Sequence, residues 1–141
     1  MSLLRLFGAR IGQQVHIHAS CKVWAPWQLE IEDRVGVGER AIFYNMGRLH
    51  IAREAVISQG AHLCGGTHDY NDPLFQLQAA DIHIGEQAWV CTEAFVGPGV
   101  SVPKGCVVGA RAVLTRTPVD GEWGVYAGNP ARRIKTRRLR G

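Results

Sequence analysis

Residues 84–118 read IGEQAWVCTEAFVGPGVSVPKGCVVGARAVLTRTP and carry an aliphatic side chain at every sixth position. A period of six fits neither an amphipathic helix, which repeats at about 3.6 residues, nor a half-buried strand, which repeats at about two. It fits a chain that bends after each short strand, with one aliphatic side chain inside per strand and a small residue near each bend. The aliphatic positions are Ile84, Val90, Val96, Val102, Val108 and Leu114, and four places after them stand Ala88, Ala94, Val100, Cys106, Ala112 and Pro118.

Three such hexads complete one triangular coil of about eighteen residues, and coils stack by backbone hydrogen bonds at strand spacing. The same spacing extends upstream in coils of about twenty residues, because two extra residues lie between groups of hexads. We therefore predict an all-β fold, a parallel β-helix of about five triangular coils. The upstream hexads are led by Ile11, Ile17, Val23, Ile31, Val37, Phe43, Ile51, Ile57 and Leu63.

The repeat is interrupted after His68, and its register returns only near Ile84. Asn71, Asp72 and Pro73 are turn-forming residues, so we expect a loop ejected from a coil corner at about residues 69–81. An insertion that projects from one corner of a repeat protein commonly carries its function. The candidate site is therefore expected beside this loop.

The repeat ends after Pro118, and the segment that follows contains Asn129 and Pro130. These residues suit the N-cap and the first position of a short helix. The expected organisation is a lead-in cap at residues 1–10, the β-helix at 11–119, and a basic C-terminal segment with a short helix at 120–141.

Positive charge is concentrated at the C-terminus. Six of the 16 Lys and Arg residues lie in residues 131–141, and the rest of the chain carries 10 against 12 Asp and Glu. A basic tail on a slightly acidic body argues against a nucleic-acid footprint. No apolar run approaches the roughly 20 residues of a membrane span, and the start of the chain is too weakly apolar for a signal peptide. We therefore expect a cytoplasmic protein, in which the four cysteines, lacking CxxC spacing, are reduced packing residues.

Four short motifs carry a family resemblance. Residues 44–46 (YNM), 57–61 (ISQGA), 67–70 (THDY) and 127–131 (AGNPA) occur in this order along the repeat. Together with the hexads they resemble the left-handed β-helix, or hexapeptide-repeat, acyltransferases, and among these the colanic-acid and exopolysaccharide O-acetyltransferases. The resemblance covers almost the whole chain from about Leu6, although that subgroup often has a longer N-terminal extension.

The resemblance implies a homotrimer with acetyl-CoA bound in grooves between neighbouring subunits, a saccharide acceptor and no required metal. It implies that His68 is the general base and that Asn45 orients the acceptor hydroxyl or the base. It implies acceptor contacts from Trp89, Asp69 and Tyr70, and a pantetheine groove lined by Thr92, Ala110 and Thr115.

Acetyl transfer to a hydroxyl requires a base that is neutral near pH 7, and histidine is the natural choice. Of the six histidines in the sequence, only His68 lies at the junction of coil and loop. Asn45 has an alternative role as a corner residue before Gly47. Arg132 and Arg133 are either solvated or bind a phosphate of CoA, because guanidinium groups pair well with phosphate.

The leading hypothesis is an acetyl-CoA-dependent O-acetyltransferase that acts on a sugar hydroxyl in polysaccharide or lipopolysaccharide biosynthesis. An N-acyltransferase acting on an amino-sugar nucleotide would use the same groove and remains open. Two remoter alternatives are a non-enzymatic binding scaffold and a zinc hydratase resembling the β-helical carbonic anhydrases, which would need three converging imidazoles.

Overall fold

The computed structural model describes residues 2–141, and these form a triangular prism with one sheet on each face, parallel except for the last strand of face 2. Face 1 contains β1 (Arg10–Ile11), β4 (Leu29–Ile31), β7 (Leu49–Ile51), β12 (Ile82–Ile84) and β15 (Ser101–Val102). Face 2 contains β2 (His16–Ile17), β5 (Gly36–Val37), β8 (Val56–Ile57), β13 (Trp89–Val90), β16 (Val107–Val108), β18 (Gly124–Ala127) and β19 (Arg132–Thr136). Face 3 contains β3 (Lys22–Val23), β6 (Ile42–Tyr44), β9 (His62–Cys64), β14 (Phe95–Val96) and β17 (Val113–Leu114).

The core is a set of aliphatic columns that run along the prism axis. On face 1, Ile31, Ile51, Ile84 and Val102 pair in consecutive coils, and each is at most 2% exposed. Burying one such side chain contributes about 1.5–3 kcal/mol, so the stacked hexads supply most of the apolar stabilisation. The parallel β-helix predicted from the six-residue period is confirmed.

Five complete coils are followed by a sixth rung on face 2 alone. Strand β18 pairs in parallel with β16, with Val107 opposite Val125 and Val108 opposite Tyr126. Tyr126 is buried and closes this end of the core. The apolar core therefore continues beyond residue 119, into the segment expected to lie outside the β-helix.

The predicted C-terminal helix is wrong. Residues 132–136 form β19, which pairs antiparallel with β18, and residues 128–131 form the turn between the two strands. Asn129 and Pro130 suit a turn as well as they suit a helix start. The unpaired edge of β18 supplies backbone donors and acceptors that a short exposed helix would leave unused, which favours the strand.

The C-terminal segment is held on the prism by Arg137. Its guanidinium donates hydrogen bonds to the carbonyl oxygens of Gln87 at 2.7 Å and Gly105 at 3.1 Å, and lies 5.5 Å from the centre of the Trp123 ring. Gly105 has a φ of +70°, and a Cβ there would come within 2.3 Å of the same indole ring. Glycine at 105 therefore lets the indole cap the last coil.

The ejected segment begins earlier than predicted and contains regular structure. Strand β10 (Gly66–His68) pairs antiparallel with β11 (Leu77–Ala79), so the chain leaves the coil at residue 66 rather than 69 as a β-hairpin with an eight-residue connection. The hairpin projects from the edge between faces 3 and 1, since it follows β9 and precedes β12.

The opposite end of the prism carries α1 (Ser2–Leu6), where Leu4 packs against the core. A 3-10 turn (Pro26–Gln28) occupies the corner between the first two coils. Within residues 2–141, no helix has the length and apolar character needed to cross a membrane.

Candidate active site

His68 lies at the end of β10, exposed to solvent, and its ring is held on one side by the hairpin. Its Nδ1 lies 3.0 Å from the carbonyl oxygen of Phe75. The two rings stack with centroids 4.2 Å apart and planes inclined by 15°. A carbonyl oxygen can only accept, so Nδ1 carries the proton and Nε2 of the neutral ring keeps a free lone pair. The geometry therefore leaves Nε2 of His68 free to accept a proton.

Two glycines allow the hairpin to leave the coil. The N–H of Gly65 donates to the carbonyl oxygen of Tyr44 in the coil below at 2.8 Å, and the carbonyl oxygen of Gly65 accepts from the N–H of Ala80 at 2.9 Å, which joins the two ends of the hairpin. A Cβ at Gly66 would lie 2.7 Å from Sδ of Met46. A larger residue there would require the side chains of Met46 and Tyr44 to shift.

Asn45 is buried, with 2% of its surface exposed, and both the oxygen and the nitrogen of its amide are hydrogen-bonded inside the chain. The Oδ1 atom accepts from the N–H of Ala25 at 2.9 Å, and Nδ2 donates to the carbonyl oxygen of Ala25 at 2.8 Å. These two hydrogen bonds take the place of a backbone–backbone pair at the corner between coils one and two. The arrangement supports the corner role of Asn45 rather than direct contact with a substrate.

Asp69 and Tyr70 start the connection that follows the histidine. The backbone N–H of Asp69 donates to Gln76 at 2.9 Å, and its carboxylate accepts from the N–H of Asn71 at 3.1 Å, so it shapes the turn. Tyr70 is 81% exposed and is free to contact a ligand. Their assignment as acceptor contacts stays a prediction.

Trp89 lies on face 2, opposite the edge from which the hairpin projects. Its Nε1 donates to the hydroxyl of Ser58 at 2.9 Å, while 43% of the residue stays exposed. The prism itself separates Trp89 from His68. One chain therefore does not bring the predicted base and the predicted pocket wall together.

The predicted CoA-binding residues fall into two groups. Thr92 and Ala110 lie on the edge between faces 2 and 3 in consecutive coils, where the N–H of Arg111 donates to the carbonyl oxygen of Thr92 at 2.9 Å. Thr115 and Arg132 line a cavity of about 280 Å³ above face 3.

Arg133 is partly buried, unlike the exposed Arg132. One guanidinium nitrogen donates to the hydroxyl of Thr136 at 2.8 Å, and Nη1 is buried without a partner. Of the two predicted phosphate ligands, Arg132 is the more accessible.

The cysteines have the environment of packing residues. All four are free thiols, and Cys91 and Cys106 are buried. Burial raises the pKa of the Cys21 thiol to about 12 and also raises the pKa of Cys91 and of Cys106. Thiols that stay protonated are poor nucleophiles, so none of these three is a candidate for covalent catalysis.

Two features of the surface were not predicted. The first is Phe75, which contacts His68 through its carbonyl oxygen and its ring. It is an apolar residue in a turn, and no sequence motif indicates its role. The second is a polar cluster on face 1 formed by Glu30, Glu32, His50 and His83. His50 lies 18 residues from Glu32 and 33 from His83 in sequence, and only the in-register stacking of outward hexad positions could have indicated the cluster.

The stacked strands of the six-residue repeat define a hexapeptide-repeat protein. The chain is 43% identical over 136 residues to the colanic acid biosynthesis acetyltransferase WcaF of Escherichia coli, a match that covers 96% of this chain and 73% of WcaF. No family model matches the chain. The identity and coverage place the chain in the family of left-handed β-helix acetyltransferases to which WcaF belongs, as the four motifs predicted.

Solved structures agree on the fold. A hexapeptide-repeat acetyltransferase from Vibrio cholerae, complexed with acetyl-CoA, superposes with a TM-score of 0.90 at 16% identity, over 98% of this chain and 76% of that one. A galactoside acetyltransferase in complex with CoA gives a TM-score of 0.89 at 18% identity, over 97% of this chain and 69% of that one. At these identities the likeness concerns the fold.

Proposed function

We propose that the protein is an acetyl-CoA-dependent O-acetyltransferase that acts on a sugar hydroxyl, with His68 as general base. The observation that carries the proposal is the geometry of His68, whose Nδ1 is bonded to the Phe75 carbonyl and whose Nε2 is free on an exposed hairpin. The relationship to WcaF supports an acceptor from exopolysaccharide biosynthesis. The structurally similar galactoside acetyltransferase is named for a sugar acceptor, which supports a saccharide as the acceptor here.

The reaction is a direct transfer within one ternary complex. Nε2 of His68 takes the proton of the acceptor hydroxyl while that oxygen attacks the thioester carbon. The tetrahedral intermediate collapses, the carbon–sulfur bond breaks, and the CoA sulfur leaves and takes the proton back from the imidazolium. The Phe75 carbonyl stabilises the imidazolium through Nδ1–H, as an acceptor bonded to a charged donor does.

The complete site forms between subunits of a homotrimer in this proposal. His68 and Trp89 lie on opposite sides of one prism, so a shared acceptor pocket requires His68 from one chain and Trp89 from its neighbour. Arg132 and Thr115 line the cavity above face 3, which supports a role for Arg132 at a phosphate of CoA and for Thr115 beside the pantetheine arm. Asn45 acts indirectly, by holding the corner beneath the hairpin.

The test is a thiol-release assay with acetyl-CoA and a panel of mono- and oligosaccharides. We expect saccharide-dependent release that falls by about 10²–10⁴-fold in His68→Ala, the range that general-base catalysis supplies. His18→Ala, an exposed histidine on the first coil, is the matched control and should retain wild-type turnover. Normal turnover in His68→Ala would refute the assignment of the base. Transfer to amino sugars but not to hydroxyls would favour the N-acyltransferase alternative.

A further inference from the structure

Face 1 carries a column of polar side chains on its outer surface. Arg10, Glu30, His50 and His83 occupy the same register position in four consecutive coils. Adjacent rungs of a parallel sheet are about 4.8 Å apart, so outward side chains on neighbouring rungs can reach a shared ligand. Glu32 joins the column from the corner that follows β4.

Three of these residues direct ligand atoms at one point. Nε2 of His50 lies 2.6 Å from Oε2 of Glu32 and 3.9 Å from Oε1 of Glu30, and all three atoms lie within 4.8 Å of one another. Ligand atoms that share a tetrahedral Zn²⁺ at bond lengths of about 2.0–2.2 Å are about 3.3 Å apart. The distance from His50 to Glu32 is shorter than that value and the distance from His50 to Glu30 is longer. Small side-chain rotations would therefore bring the three ligand atoms to the spacing of a bound Zn²⁺.

The outer contacts of the cluster leave those atoms available. Glu30 gives its other oxygen to the guanidinium of Arg10 at 2.8 Å, and Glu32 gives its other oxygen to the backbone N–H of Arg53 at 3.1 Å. Each carboxylate is thus oriented by one oxygen and presents the second to His50. A depression of about 380 Å³ opens in front of the two carboxylates and connects them to solvent.

The second histidine completes the arrangement. Nδ1 of His50 lies 2.8 Å from Nδ1 of His83. A histidine that binds a metal through Nε2 carries its proton on Nδ1 and donates it to a neighbouring acceptor, which fixes the tautomer and raises the basicity of the ligand. Nδ1 of His83 is in the position of that acceptor.

We propose that Glu30, Glu32 and His50 form a binding site for a divalent first-row transition metal such as Zn²⁺, with His83 as the hydrogen-bond partner of the ligating imidazole. One nitrogen and two carboxylate oxygens suit zinc and leave a position open for water. The bound cation joins coil two to coil three on face 1. Its expected role is to stabilise the stacking of these two coils rather than to take part in acetyl transfer.

The test is isothermal titration of Zn²⁺ into the full chain, purified without a polyhistidine tag and treated with a chelator. We expect one equivalent of Zn²⁺ per chain and a melting temperature that rises with Zn²⁺ concentration, as for any ligand that binds only the folded state. Glu32→Gln and His50→Gln should each weaken binding by about tenfold or more. His18→Gln is the matched control, because His18 faces a single carboxylate, Glu39, at 4.0 Å, and it should bind as the wild type does.

The absorption spectrum of bound Co²⁺ is a second test, and it requires only the wild-type protein. Co²⁺ bound to the wild-type protein should give visible bands without the intense near-ultraviolet absorption of a cobalt–thiolate bond. A thiolate band would assign the metal to a cysteine and overturn the proposal. So would binding that is unchanged in folded Glu32→Gln and His50→Gln, displacement of Zn²⁺ by equimolar Mg²⁺, or no binding at 100-fold excess Zn²⁺.

Discussion

Asn45 and His68 are the two polar side chains for which the sequence predicts catalytic roles, and their surroundings differ completely. Both hydrogen-bonding ends of the Asn45 amide are bonded to the backbone of buried Ala25. His68 is exposed and has one nitrogen bonded and one free. A residue whose groups are all satisfied within the protein has little left to offer a substrate.

We expect Asn45→Ala to lower the free energy of unfolding by about 1–3 kcal/mol, because it leaves the N–H of buried Ala25 without a partner, while the Ala25 carbonyl oxygen keeps its bond from the Gln28 N–H. Urea unfolding followed by circular dichroism measures this change. Asn71→Ala, in the exposed connection of the hairpin, is the control and should change stability little. Loss of turnover in Asn45→Ala at unchanged stability would instead establish a direct catalytic role.

His62 gives the protein a predictable response to acid. Its side chain is half-buried on face 3 against Phe95, and burial lowers its pKa below the ordinary value. The unfolded chain therefore binds more protons than the folded one once the pH falls below about 6.5. The contribution of His62 to stability is complete above that pH and is lost progressively as the pH falls through and below it.

We expect the melting temperature to fall between pH 7.5 and pH 5.5, and to fall by less in His62→Leu, which removes the titrating group. Thermal melts in the presence of a chelator measure both slopes. Burial also lowers the pKa of His83, so part of the slope should persist in the variant. Equal slopes in the two proteins would contradict the assignment to His62.

At the scale of the element, the hairpin of β10 and β11 positions His68, the proposed base. Phe75 contacts His68 twice, through its carbonyl oxygen at 3.0 Å and through its stacked ring. The ring restricts the imidazole to the plane in which Nδ1–H meets the carbonyl. The backbone bond alone would allow the imidazole to tilt away from the acceptor.

We expect Phe75→Ala to lower kcat by about 10–100-fold with little change in the KM for acetyl-CoA, because misplacing a catalytic group costs rate more than binding. Steady-state thiol release gives both constants. Leu74→Ala removes the neighbouring apolar side chain, which is more exposed than that of Phe75, and it should keep the wild-type kcat. An equal loss in both variants would indicate general loosening of the hairpin.

The structure of the C-terminal hairpin could not be predicted from its local sequence. Asn-Pro can begin a helix or form a turn, and a segment of five strand residues has little intrinsic preference of its own. The free edge of β18 decided the outcome, and that edge exists only after the coils have stacked.

At the scale of the whole molecule, the proposed trimer predicts that two inactive variants restore activity when mixed, which a monomeric enzyme could not show. If His68 and Trp89 of neighbouring subunits share one site, His68→Ala and Trp89→Ala are each inactive alone. Unfolding and refolding an equal mixture should restore about a quarter of wild-type activity, the statistical share of interfaces with both native residues.

Thiol release before and after mixing measures the restoration, and light scattering on the same samples gives the subunit number for a chain of 15.5 kDa. A mixture that stays inactive while forming trimers would place both residues in one chain's site. A monomeric active enzyme would exclude the shared site altogether.

The sequence by itself determined the repetitive architecture, the location of the insertion and the candidate base. The reason is that one aliphatic residue per hexad is a local constraint, renewed at every coil, and a break in it is visible wherever it occurs. The motif around His68 lies at that break, so its position followed from the same pattern.

Only the tertiary structure decided which side chains meet across coils. The engagement of Asn45 with Ala25, the stacking of Phe75 on His68, and the convergence of Glu30, Glu32 and His50 depend on register between rungs or on the path of the hairpin. Outward positions of a hexad tolerate almost any residue, so no repeating residue type in the sequence identifies them. Their chemistry arises when strands that are distant in sequence are brought to the spacing of a β-sheet.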